Sequence, residues 1–119
     1  MKHKYAVLTN DMQVAIANKH KERKMAVSKF LPNMIFFLDK MRHFNIPVIP
    51  LQFVLDGTAK DGYENYGDFP PLLLGTDGIK ILPEVLSAND LVVVKHKDSG
   101  FFETTLDETL KKMNVDSLI

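Results

Sequence analysis

This sequence predicts an α/β fold built on a mostly parallel sheet, and three observations predict it. First, short apolar runs at Tyr5–Asn10, Pro47–Val54 and Asp90–Lys95 have the length of strands buried on both faces. Second, the first two runs are separated by a long segment with helical spacing. Third, the last run is followed by a helix-start signal. The order strand, helix, strand, strand, helix implies a three-layer α/β/α arrangement of Rossmann-like type.

Each element has its own grounds. Tyr5–Asn10 is apolar and then turns polar, as a strand does on leaving a core. From Met25 to Phe44, residues Val27, Phe30, Leu31, Met34, Leu38 and Met41 recur at three and four, which puts them on one helix face. Pro32 is tolerated there if Ser28 is the N-cap, because first-turn N–H groups have no intrahelical acceptor. Asn45 ends that helix. Pro47 and Pro50 make the second strand imperfect. Asp90–Lys95 is the clearest strand, nearly continuous and rich in valine. Thr105 and Glu108 match a capping box that opens a helix running to about Met113.

The connection from Leu55 to Gly78 is long and weakly patterned, holds Tyr63 and Tyr66, and reads as a functional or disordered loop. Gly75-Thr76-Asp77-Gly78 lacks the lysine of a phosphate-binding loop. From Asn114 the chain reads as a turn and the opening of a fourth strand at Leu118-Ile119. The expectation is one domain over residues 1–119, incomplete as given, its sheet finished by missing residues or by a partner chain. Self-association into a homo-oligomer is expected on the same ground.

Composition narrows the function classes. With 119 residues, 45% of them hydrophobic, one core is the natural outcome. Fifteen basic residues balance fifteen acidic ones, which gives no reason to expect nucleic acid or an anionic membrane as partner. The basic run Lys19–Lys24 reads as a solvated loop or helix start. No apolar run approaches the roughly 18–20 residues of a membrane span. The apolar stretch Tyr5–Leu8 is too short for a secretory signal, so a cytoplasmic protein is expected. There is no cysteine, hence no disulfide and no thiolate metal site. His3, His20, His43 and His96 show no ligand spacing, and neither metal nor cofactor is expected; His96 is notable only as the neighbour of Lys95.

Ligands of parallel α/β sheets bind beyond the carboxyl ends of the strands. Asp11 follows the first strand and Lys95 ends the third. A carboxylate and an ammonium meeting there can set each other's charge state and activate a nucleophile. From spacing alone, a structural ion pair or two exposed loop residues is the more ordinary outcome for such a pair.

Asp11-Met12-Gln13 after an apolar strand resembles the Asp-Met-Gln signature of the isochorismatase-like cysteine hydrolases. The run from Asp90 to Lys95, followed by Ser99, Gly100, Phe101, Phe102, Thr104 and Leu106, is similar to that family's strand–Lys–Ser–Phe block. Gly75-Thr76 falls where the family has a Gly-Thr turn before a short helix. The resemblance covers nearly the whole chain in the expected order. It implies a hydrolase of small molecules using Asp, Lys and Cys: the cysteine attacks an amide-type carbon, the aspartate is its base and later a proton donor, and the lysine stabilises the charged cluster. Some members instead cleave a vinyl ether by acid catalysis. Carried over by position, Asp11 is the general acid/base and Lys95 its electrostatic partner. Gln13 orients Asp11 or a substrate, or merely opens the next segment. Ser99 donates near Lys95 or caps a turn. Phe101 and Phe102 line a substrate pocket or join the core.

The chain departs from the pattern in three places. The family's cysteine follows the fourth strand, and no residue here replaces it, so these 119 residues alone are expected to be inactive by the thiol route. After Gln13 the family continues Asn-Asp-Phe, whereas this chain has Val14-Ala15-Ile16. Nicotinamidase-type members carry an Asp-x-His metal motif after the second strand, where this chain reads Gln52-Phe53-Val54-Leu55-Asp56. Two alternatives compete with the hydrolase: a phospho-receiver signalling module, weakened by the single acid in Asn10-Asp11 and by too few strand–helix units, and a binding relative that has lost its active site.

Overall fold

The computed structural model describes residues 2–57 and 72–119. Tyr63 and Tyr66 lie outside the described residues. Four strands form one parallel sheet in the order β3-β2-β1-β4, with β1 at Tyr5–Asn10, β2 at Val48–Phe53, β3 at Val93–Lys95 and β4 at Ser117–Leu118. Among the described residues, helices α1 at Val14–Ala17, α2 at Lys21–His43 and α3 at Leu106–Lys112 accompany them. The 3-10 turns Asp77–Ile79 and Pro83–Val85 lie between β2 and β3.

The layering follows from the two-residue period of the strands. Val7 and Val48 point to one face and meet Val27, Leu31, Met34, Leu38 and Met41 of α2. Ala6, Leu8, Ile49, Leu51 and Val93 point to the other and meet Leu106 and Leu110 of α3. The strand order explains why the two helices lie on opposite faces. From β1 to β2 to β3 the chain steps one way across the sheet; from β3 to β4 it returns past both. Right-handed crossovers travelling in opposite directions must cover opposite faces. The expected three-layer α/β/α fold is therefore present, and the predicted fourth strand pairs with β1 through Tyr5 and Ala6.

Several local expectations are corrected. Helix α2 begins at Lys21, about two turns before Ser28. His20 is its N-cap, extended at φ −152° and accepting from the Arg23 N–H through Nδ1 at 3.1 Å. Ser28 is interior, its hydroxyl donating to the Lys24 carbonyl, and Pro32 sits well inside the helix on the exposed face. Strand β3 starts at Val93 rather than Asp90, because the Asp90 carboxylate is engaged elsewhere. It accepts from Arg42 Nε and Nη2 at 3.1 and 2.6 Å and from the Ser87 N–H at 2.9 Å, which turns the chain before pairing begins. The capping box at Thr105 does not form. Thr105 lacks the extended torsions of a capping residue, at φ −86° and ψ 4°, and makes no side-chain cap bond; Thr104 takes the role, accepting from the Leu106 N–H at 3.2 Å while donating to the Gly100 carbonyl. Among the described residues no helix is long and apolar enough to cross a membrane.

Candidate active site

Chain β1 leaves the sheet at Asp11. That residue adopts φ +60°, a left-handed conformation that aspartate tolerates better than most side chains. The departure strips β2 of its neighbour just where Gln52 and Phe53 continue. The Gln13 side chain fills the vacated place. Its Oε1 accepts from the Phe53 N–H at 2.8 Å and its Nε2 donates to the Phe53 carbonyl at 2.8 Å, so a carboxamide pairs with a peptide unit as a strand would. Nε2 also donates to the Ile79 carbonyl at 2.9 Å, which receives Gln52 Nε2 at 2.6 Å as well. Met12 and Val14 meanwhile exchange backbone bonds with Leu82 and Lys80. The sharp turn at Asp11 is thereby fixed on both sides.

Lys95 ends β3, in register with Phe53. Its side chain is 1% exposed, and burying an ammonium costs several kcal/mol unless the charge is met. Three groups meet it. Asp11 Oδ1 lies 3.2 Å from Nζ, the Asp98 carbonyl accepts from Nζ at 2.8 Å, and the Phe53 ring centroid lies 5.5 Å away, within cation–π range. Asp11 itself is 33% exposed. Its Oδ1 is buried, and among the described residues no donor is aligned to hydrogen-bond it, so the contact with Lys95 is one of charge. A carboxylate oxygen held beside a fixed cation with an uncommitted lone pair is equipped to accept a proton or return one.

The remaining expected residues are placed differently. Gln13 is wholly buried and its amide is taken up by backbone groups. Ser99 is exposed, and its hydroxyl accepts from the Phe101 N–H at 3.2 Å, the turn-capping alternative. Ser99 and Phe102 line an open hollow of about 350 Å³ with Lys97 and Asp98, while Phe101 is half-exposed outside it. His96 rests its Nδ1 2.7 Å from the Val54 carbonyl. Sequence reasoning missed Phe53 and Asp98 as the groups that hold Lys95. The Phe53–Lys95 pairing could have been read from strand register; the Asp98 carbonyl, a backbone group in a turn, leaves no side-chain signal. A second cleft, of about 260 Å³, opens where β1 ends and is lined by Asp11, Ile16, Arg23, Val27 and Phe30 among others.

The isochorismatase domain profile matches residues 5–119, and the chain belongs to that family. No curated protein sequence matches it. Among solved structures it resembles N-carbamoylsarcosine amidase from Thermoplasma acidophilum, at 24% identity and a TM-score of 0.78, over 97% of this chain and 65% of that one. A cysteine hydrolase from Pseudomonas syringae pv. phaseolicola 1448A gives 21% identity and a TM-score of 0.78, over 97% of this chain and 57% of that one. The zinc complex of pyrazinamidase from Pyrococcus horikoshii gives 16% and 0.76, over 97% of this chain and 68% of that one. The chain spans about three-fifths of the length of such structures. Family membership sets aside the phospho-receiver alternative. The region after β2 offers Asp56 but no histidine, and among the described residues no group of three His, Cys, Asp or Glu side chains could hold a metal ion. These residues do not fit a zinc site of that kind.

Proposed function

We propose that this chain supplies the proton-transfer and charge-stabilising half of a hydrolase site acting on a small molecule, with Asp11 as general acid/base and Lys95 as its electrostatic partner. The observation that carries the reading is the 3.2 Å approach of Asp11 Oδ1 to a fully buried Lys95 at the carboxyl rim of a parallel sheet. Buried lysines are rare, and one held against a partly open carboxylate in a cleft is the pattern of a reacting centre. The ammonium holds the carboxylate in place and offsets negative charge developing on a neighbouring substrate atom. The carboxylate takes a proton from a nucleophile, or gives one to a leaving group.

Two reactions fit this division of labour. In amide hydrolysis Asp11 deprotonates a thiol, which none of these 119 residues provides. In vinyl-ether cleavage Asp11 protonates the substrate carbon and water completes the hydrolysis, a route that needs no thiol. Gln13 acts in this reading as a positioning residue rather than a substrate contact, because its amide fixes the turn that carries Asp11. Ser99 and Phe101 follow Lys95 in the loop after β3, and we assign them to the substrate side.

The test is turnover of a panel of small amides and enol ethers by the protein and by two variants. Asp11→Asn and Lys95→Met should each lower kcat by at least about 10²-fold, the usual contribution of a general acid or base. Retained turnover in Asp11→Asn would overturn the assignment.

A further inference from the structure

We infer that Arg23 selects substrates carrying a carboxylate group, and that the cleft between the end of β1 and the start of α2 holds the substrate's apolar body. The inference rests on the hydrolase reading for the position of the scissile bond, at Asp11, but its test does not depend on turnover.

The cleft's volume of about 260 Å³ sits just below the usual range for ligand pockets, which suits a small molecule of one ring or a short chain. Its walls are mostly apolar, with Met12, Ile16, Val27 and Phe30 among them. Among the described residues, the charged ones that line it are Asp11 and Arg23. Phe30 is 42% exposed although the helical spacing assigns it to the core face of α2; it borders the cleft instead.

Arg23 is half-buried, and among the described residues its guanidinium forms no ion pair. The other arginine, Arg42, is fully engaged by Asp90 and the Val85 carbonyl. Lys21 and Lys24 flank Arg23 in the first turn of α2, where Glu22 is the acidic residue. Cations in that turn also oppose the helix dipole, a local cost that Glu22 offsets only in part. An anion supplied by a ligand offsets it further. A guanidinium forks onto a carboxylate through two parallel N–H···O bonds, a geometry that lysine cannot reproduce. The substrate class is therefore a small molecule with a carboxylate at one end, an apolar middle, and the hydrolysable bond at the Asp11 end.

Benzoate and benzamide are matched probes, equal in shape and different in charge. Binding is followed by calorimetry and by amide chemical shifts of Ile16, Arg23 and Phe30. Benzoate should bind the wild-type protein roughly tenfold more tightly than benzamide, as expected for a charged hydrogen-bonded pair. Arg23→Met should reduce that ratio to within twofold while leaving benzamide affinity in place, and Arg23→Lys should restore only part of it. Ala26→Trp, which fills the cleft from α2, should weaken both probes. Equal affinity for the two probes in the wild type, or a ratio unchanged in Arg23→Met, overturns the inference. Asp11→Asn separates the two proposals: loss of turnover with benzoate binding intact supports the hydrolase reading whatever Arg23 does.

Discussion

Lys95 and Asp11 form an asymmetric pair: the ammonium is 1% exposed and the carboxylate 33% exposed, at 3.2 Å. Removing either partner therefore has different consequences for folding. Asp11→Asn keeps a side chain that tolerates φ +60° but leaves a buried ammonium without its counter-charge. It should cost roughly 2–3 kcal/mol in urea unfolding. Lys95→Met removes the desolvated charge together with the need for compensation and keeps an apolar stem beside Phe53. It should unfold within about 1 kcal/mol of wild type, on either side. Both should be inactive. If Lys95→Met proves the more destabilising of the two, the lysine contributes more to stability than its burial costs, and the site is structural first.

Gln13 gives a second test, of positioning rather than chemistry. Gln13→Leu matches the volume but removes the hydrogen bonds that Gln13 makes with the Phe53 N–H and the Phe53 carbonyl in a buried place. The expected loss is about 2–3 kcal/mol, since each hydrogen bond contributes about 1 and its loss in a buried place costs more. The turn at Asp11 loosens with it, so kcat should fall while KM changes less. Gln13→Glu restores the acceptor but not the donor, and should recover part of the stability. A large change in KM with kcat untouched would point to direct substrate contact instead.

Much of this arrangement was legible in the sequence, and what was not has identifiable causes. The strands at Tyr5–Asn10 and Pro47–Val54 declared themselves because strands buried on both faces are continuously apolar. Asp11 and Lys95 stood out because charges directly after such runs fall at the ligand-binding rim. The start of β3 was misjudged because Asp90 looks like a strand flank and is in fact the acceptor of Arg42, 48 residues earlier. The helix start is hidden because histidine is an uncommon cap, whereas Ser28 carries the commoner capping side chain. Gln13 was ambiguous because its partners, Phe53 and Ile79, are backbone groups far along the chain. Arg23 was hidden in a basic run whose ordinary meaning is a solvated surface.

The junction of β1 and β4 should depend on pH. Asp116 accepts from the Lys4 N–H at 3.1 Å and from the Ser117 hydroxyl at 2.7 Å, with His3 Nδ1 at 3.4 Å. The Ser117 hydroxyl first, then Lys4 and His3, hold its carboxyl below the ordinary aspartate value. A carboxyl whose pKa is lower in the folded state contributes stability that is complete above its unfolded value, about 4. That contribution is lost as pH falls through the lowered folded value. Because the group is exposed, the effect is local fraying rather than unfolding. Hydrogen-exchange protection of the Ser117 and Ile119 amides, which bond to Lys4 and Ala6, should drop as pH falls below about 4. Asp116→Asn should show weak protection at every pH. Parallel profiles for the two proteins would mean that the carboxylate does not hold this strand.

Pro32 offers a stabilising change far from the site. It lies inside α2, exposed, and its ring nitrogen cannot donate to the Ser28 carbonyl one turn earlier. In an unconstrained helix interior, proline is about 3 kcal/mol worse than alanine. Part of that cost is offset if a proline bend lets Leu31, Met34 and Ile35 pack more closely on the sheet beneath them. Pro32→Ala should therefore raise the unfolding free energy by about 1–2 kcal/mol, with Asp11-dependent activity unchanged. A fall in stability would show that the bend is required, and the Val27 and Leu38 contacts on either side of it should then lose hydrogen-exchange protection together.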